Sequence, residues 1–383
     1  MNRVAISPRH DWQAKVEEVG LTYHTPDGQK YWDESVYYQF TAAEVDVLEK
    51  AGNDLHALCL QAAQHVIDED LFELLGIPSE AVPYIKNSWE RDDFSVYGRF
   101  DLAFDGKTPP KLLEYNADTP TALVEAAVAQ WYWLQEVSPH SDQFNSIHEE
   151  LVSAWKQFGA KAPGTIHFGG LNNSLEDEQT VLYLEDTCHQ AALAVSSLFI
   201  EDLGYDKEQR QFVDLQNQRV LNYFKLYPWE WMWHEEFAYC LKMEICNFIE
   251  PMWKMLLSNK GLLPILWKLF PGHPNLLPAF FTPAELAACP QAPPGAGYVK
   301  KPKLSREGAN VSVVLRGETV QSTGGDYGEE GYIFQALAPV ADFEGKHPVL
   351  GVWIVNHKAC GLGIREDDTL ITGNFSRFVP HLF

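Results

Sequence analysis

A chain of 383 residues with 46% apolar and 13% aromatic content can bury a large core, which excludes a disordered protein. Its 29 Lys and Arg against 53 Asp and Glu leave a formal charge of −24, a field that repels nucleic acid and anionic membranes. No apolar run reaches the ~18 residues needed to span a bilayer, and Met1–Asp11 lacks the apolar stretch of a secretory signal, so a cytoplasmic setting is expected. Cys59, Cys188, Cys240, Cys246, Cys289 and Cys360 show no CxxC or ligand spacing and read as free thiols.

Helical patterning covers residues 41–75. Thr41-Ala-Ala-Glu44 has the form of a capping box, and Leu48, Leu55, Leu58 and Ala62 recur at helical spacing behind it. Residues 97–120 then read as two short strands joined by a turn at Asp105–Pro110. Alternation puts Phe100, Leu102 and Phe104 on one face of the first strand and Arg99 and Asp101 on the other. In the second, Leu113 and Tyr115 share a face, leaving Glu114 and Asn116 opposite. Pairing the strands gathers Asp101, Glu114 and Asn116 on one surface with Arg99 alongside. Two carboxylates and an amide oxygen are a hard-oxygen set suited to Mg2+, and a nearby arginine suits phosphoryl charge. Antiparallel strands ordinarily carry one solvated polar face, so alternation by itself leaves both readings open.

Thr119-Pro120-Thr121 reads as a helix entry, with Ala122–Glu136 helical behind it. Residues 162–225 change character to strand, helix, strand: Thr165–Phe168 ending in Gly169-Gly170, a helix from about Leu175, then Leu198–Ile200. Gly169-Gly170 lacks GxGxxG and reads as a tight turn rather than a phosphate loop. Trp229, Trp231 and Trp233 read as aromatic packing behind a proline-led helix start. From Tyr298 the chain is mostly strand, with a hairpin at Val311–Leu315 and Thr319–Gln321, then strands at Tyr332–Leu337, Val349–Val355 and Ala359–Ile364.

Arg99-x-Asp101 followed by Leu-Leu-Glu114-Tyr-Asn116-Ala-Asp-Thr-Pro resembles the synthetase domain of glutathionylspermidine synthase and its stand-alone bacterial relatives, which are ATP-grasp ligases. The likeness continues through Glu125–Trp131, Ser258-Asn-Lys-Gly-Leu-Leu-Pro, Lys301-Pro302, Ser305–Asn310, Tyr327-Gly-Glu-Glu-Gly and Gly363-Ile-Arg-Glu-Asp, so it runs from about Trp12 to the end. It implies an α/β fold of ATP-grasp type, permuted as in glutathione synthetase, forming one unit over 12–383 with a βαβ subdomain at 162–225.

The resemblance also implies ATP and Mg2+ as cofactors, with Asp101, Glu114 and Asn116 as metal ligands. Arg99, Phe100, Asp101, Lys260, Lys301, Gly308, Gln335 and Leu370 are the implied nucleotide contacts. Lys301, not Lys300, is chosen because it directly precedes the proline. Arg99 and Arg365 are the implied catalytic donors. The implied reaction joins a carboxylic acid, such as the peptide glutathione, to an amine, such as a polyamine, through an acyl phosphate. An ATPase that does not ligate, or a non-catalytic nucleotide- or polyamine-binding protein, are the other readings.

Overall fold

The computed structural model describes residues 1–292 and 297–383. Its first long element is α1 (Ala42–Asp68), entered through the expected capping box: Thr41 Oγ1 accepts from Glu44 N, and Glu44 Oε2 accepts from Thr41 N at 2.8 Å. The α-helix stops at Asp68, and the expected extension becomes a separate 3-10 turn at Phe72–Leu75. Next come β1 (Tyr97–Ala103) and β2 (Lys111–Asn116), the expected hairpin. A π-helical turn at Glu125–Ala129 leads into α2 (Gln130–Val137).

A parallel unit follows. β3 (Ile166–Gly170), α3 (Leu175–Gln190) and β4 (Val195–Ser197) form a right βαβ sequence of elements, with β3 and β4 paired in parallel. The second strand lies just before the expected Leu198–Ile200, because Ile200 begins a 3-10 turn. β5 (Asn222–Leu226) and β6 (Asn247–Ile249) complete a four-stranded sheet of order β6-β5-β3-β4. Then come α4 (Leu262–Leu269) and β7 (Ala279–Phe280). The remaining strands are β8 (Tyr298–Pro302), β9 (Ser312–Leu315), β10 (Glu318–Ser322), β11 (Tyr332–Ala336), β12 (His347–Val355), β13 (Lys358–Asp367) and β14 (Arg377–Phe378).

Two antiparallel sheets flank the site. One has the order β14-β13-β12-β1-β2, the other β7-β11-β8-β9-β10. Every residue of β1 is buried, because both faces of its sheet are covered. On one face Phe100, Leu102 and Tyr115 join the core beneath α1. Gly52 lets α1 sit against β12 and β13, since a Cβ there would lie 2.9 Å from Ala359 Cβ and Val352 Cγ1. On the other face, the helix after Ala122 packs on β13. Of the two readings left open by alternation, a solvated face is thus excluded: the Arg99–Asp101 face is an interior polar surface. No helix among the described residues is long and apolar enough to cross a membrane.

Candidate active site

The register of β1 and β2 sets Arg99 opposite Asn116 and Asp101 opposite Glu114. A shift between Asp101 and Leu102 then pairs Leu102 with Leu112, leaving Leu113 as an extra residue in a bulge. The bulge breaks the alternation read from sequence: Leu113 does not share the surroundings of Tyr115. Leu113 lines a narrow cleft with Glu114, whereas Tyr115 stacks on Phe100 in the core, ring centres 3.9 Å apart. Phe100 is fully buried there, so its side chain does not reach the cleft.

The other candidates converge. Asn116 Nδ2 lies 3.5 Å from Asp101 Oδ2 and 3.2 Å from Glu114 Oε1. Exchange of the amide oxygen and nitrogen would turn an oxygen toward the two carboxylates. Two converging carboxylates and one amide fit a hard divalent cation, so the donor set passes the test for Mg2+. Cations of the chain compensate these carboxylates. Arg365 Nη2 donates to Asp101 Oδ2 at 2.5 Å, Arg99 Nε donates to Asp101 Oδ1 at 2.7 Å, and Lys260 Nζ is 3.2 Å from Glu114 Oε2. Burial alone would push the Glu114 carboxyl up, but Lys260 and Lys301 outweigh it and bring it down to about 2.

One side of the hairpin opens on the cleft, lined by Lys301, Gln335, Leu370 and the small apolar residues Val299, Ala338 and Val340. Lys301 Nζ donates to Leu113 O and Gln335 Oε1, both at 2.9 Å, and Gln335 Nε2 donates to Leu112 O at 2.9 Å. The bulge carbonyls thus orient both side chains. Burial, with Lys260 adding, lowers Lys301 to about 8 against the attraction of Glu114. Lys300 instead lies over the Tyr332 ring at 3.9 Å and is not among the residues that line the cleft. Gly308 closes the cleft. It has φ +68°, and a Cβ there would meet Thr372 O at 2.5 Å.

The other side opens on a polar cavity of about 620 Å³, shared by Arg99, Arg365, Asn116 and the loop around Gly308. Arg99 Nη1 donates to Thr121 O at 2.7 Å, just before the helix entry, where Ala122 takes φ +65°. Several lining residues carry no role from sequence. Arg306 donates to Thr119 Oγ1 at 2.6 Å and stacks over Trp231 at 5.3 Å. Trp231 therefore faces the cavity, while Trp229 is core. Asp118 accepts from Lys225 Nζ at 2.6 Å and from Trp229 N at 3.0 Å. Both Asp118 and Arg306 sit inside the strings that carry the family likeness, which was the available signal.

Carboxylates dominate the far wall: Asp27, Glu176, Asp177, Glu230 and Glu307. Burial, reinforced by Glu176, raises Asp177 to about 6. The same two causes raise Glu125, buried behind Tyr31, to about 7. The wall carboxylates come from four separate segments, so no local pattern could have gathered them. The cavity thus has cations at the hairpin and carboxylates over much of the rest of its lining, with Glu230 3.9 Å from Arg306.

Comparison with known proteins agrees with this architecture. The chain matches the glutathionylspermidine synthase preATP-grasp family over residues 3–383. It is 42% identical over 397 residues to a Haemophilus influenzae protein named as an acid–amine ligase, covering 100% of both chains. It is 31% identical over 361 residues to trypanothione synthetase of Crithidia fasciculata, covering 85% of this chain and 53% of that one. It is 28% identical over 375 residues to the bifunctional glutathionylspermidine synthetase/amidase of Escherichia coli, covering 90% and 58%. The chain thus spans just over half the length of the latter two. Among solved structures, a glutathione synthetase-like effector from Globodera pallida superposes with a TM-score of 0.55 at 12% identity, covering 97% of this chain and 98% of that chain, which shows a shared fold. Matched from Arg3 to Phe383, the chain belongs to the glutathionylspermidine synthase preATP-grasp family.

Proposed function

We propose that this amide-bond ligase activates a small carboxylic acid with ATP as an acyl phosphate and transfers the acyl group to a cationic amine. The observation that carries the reading is the position of Arg99 and Asp101 at the boundary between the apolar cleft and the polar cavity. A nucleotide in the cleft would direct its phosphates toward Lys260, Lys301 and the Gly308 loop. Asp101, Glu114 and Asn116 would hold Mg2+, which supplies charge neutralisation at the phosphoryl group.

The acid's carboxylate oxygen would attack the γ-phosphorus, releasing ADP. Arg99 and Arg365 stand where charge develops on the transferring group, and such fixed donors carry much of phosphoryl-transfer catalysis. The amine nitrogen would then attack the acyl carbon, the carbon–oxygen bond to phosphate would break, and the amine would lose a proton. The anionic wall around Asp177 and Glu230 supports an amine with more than one positive charge, such as a polyamine. The hairpin cations Arg99 and Arg365 support a peptide-sized acid bearing its own carboxylates, such as glutathione. Free cysteines support a cytoplasmic setting.

ADP release from Mg-ATP, measured for wild type and Asp101→Asn over a grid of acids and amines, tests the reading. Turnover that needs both partners and drops about 10²–10³-fold in the variant is the expected result. Turnover without an amine requirement would mean an ATPase. Folded protein that binds ATP and never turns over, whatever the grid, would mean a binding protein.

A further inference from the structure

Behind the metal hairpin lies a buried ion pair that the proposed chemistry does not use. Lys254 and Glu250 are 1% and 0% exposed and four residues apart, Glu250 just after β6 and Lys254 at the start of a short helix. The ladder between β1 and β2 ends at Arg99 opposite Asn116. Continued by the same register, it would set Tyr97 against Asp118. Asp118 instead turns away to Lys225 and Trp229.

Four of the backbone groups left behind are taken by the pair, while Ala117 N donates to Ser258 Oγ at 3.3 Å. Glu250 Oε1 accepts from Val96 N and Tyr97 N, each at 2.9 Å. Lys254 Nζ donates to Tyr97 O at 2.9 Å and to Ala117 O at 3.0 Å, so one ammonium bridges the two strands where their own pairing stops. Glu250 Oε2, 3.1 Å from Lys254 Nζ, keeps the cation compensated. Buried backbone groups must find partners, and here two side chains replace a rung of the sheet. Arg99 and Asn116 are the next residues inward from that bridge. The turn end of the hairpin is anchored separately, by Lys301 and Gln335 on the Leu113 and Leu112 carbonyls.

We propose that Lys254 is a positioning residue for the metal hairpin. It touches no substrate; it sets the open end of β1 and β2, and thereby where Arg99, Asp101 and Asn116 meet. This rests on the nucleotide-binding reading above. Because the two ends are anchored independently, loss of Lys254 disturbs the metal-dependent part of nucleotide binding and spares the part owed to Lys301 and Gln335.

The test is calorimetric titration of AMP-PNP, with and without Mg2+, into wild type and Lys254→Met. Removing one member of a buried pair can unfold a protein, so Glu250→Gln/Lys254→Met, which leaves no unpaired buried carboxylate, is measured alongside. The expected result, in whichever variant keeps the wild-type circular dichroism spectrum, is binding of Mg-AMP-PNP weakened about tenfold and metal-free binding changed less than about twofold. Parallel losses with and without Mg2+, or no loss in either, would overturn the inference. Wild type that binds no AMP-PNP would instead overturn the nucleotide reading, and this one with it.

Discussion

Lys301 and Gln335 are bonded to each other before either meets a ligand, the ammonium donating to the amide oxygen at 2.9 Å. Gln335 passes its own amide hydrogen to Leu112 O, so the pair is locked to the bulge in β2. Burial holds Lys301 near 8, against about 10.4 for a free lysine. Its charge is present below that value and lost as pH rises through it. The kcat/KM for ATP is expected to fall above pH 8, and Lys301→Met should remove that alkaline limb. A steady-state pH profile checks both; an unchanged limb in the variant would assign it elsewhere.

Arg365 occupies one oxygen of Asp101. Arg365→Ala is expected to lower kcat by about 10²–10³-fold, through loss of a donor to the transferring group. The same change removes a cation that competes for Asp101, so the Mg2+ concentration giving half-maximal rate should fall. Magnesium titrations of the variant at saturating ATP separate the two effects. A rise in that concentration would show that Arg365 helps to hold the metal site instead.

Gly308→Ala strains a left-handed backbone and drives a methyl group into Thr372 O. The loop should then sit open over the phosphates. The expectation is a loss of about 10–100-fold in kcat/KM for ATP, the scale of a misplacement of about 1 Å. The melting temperature should drop by no more than about 4 °C, since the added methyl meets only Ile371 of a small satellite cluster and neither of the two large cores. Calorimetry of the variant beside its kinetics would expose a global rather than a local effect.

The anionic wall makes the opposite pH prediction. Asp177 and Glu125 become charged as pH rises through about 6 and about 7. Affinity for a cationic amine is expected to grow over that window. Asp177→Asn should flatten its lower half, and weaken a diamine about tenfold while sparing a monoamine. Equal losses for the two amines would place Asp177 outside the subsite for the second charge.

Much of this site was legible because its residues are close in sequence or carried by long strings. The hairpin, the capping box at Thr41 and Glu44, and the strands after Tyr298 follow from local periodicity and turn chemistry. Alternation also put the Phe100 ring on the face away from Asp101, and that is where the core holds it. The bulge at Leu113 was invisible because one extra residue leaves the pattern of apolar side chains almost unchanged. Lys254 and Glu250 carry no local signal, since nothing in a sequence says that the groups they satisfy lie some 150 residues earlier. Tertiary juxtaposition, not propensity, decides such residues.

A lysine held near 8 is a nucleophile as well as a cation. About a tenth of Lys301 is an uncharged amine at pH 7, next to a reaction that is proposed to generate an activated acyl group. Such an amine could take the acyl group itself and block the cleft. The fold keeps the two apart: Lys301 sits beyond Glu114 on the apolar side, while Arg99 and Arg365 face the polar cavity where the acid would lie. On the proposed chemistry, the β2 strand would thus act as a barrier to self-acylation as well as a scaffold. An amine-reactive reagent small enough to enter the empty cleft should label Lys301 ahead of surface lysines, and ATP should protect it.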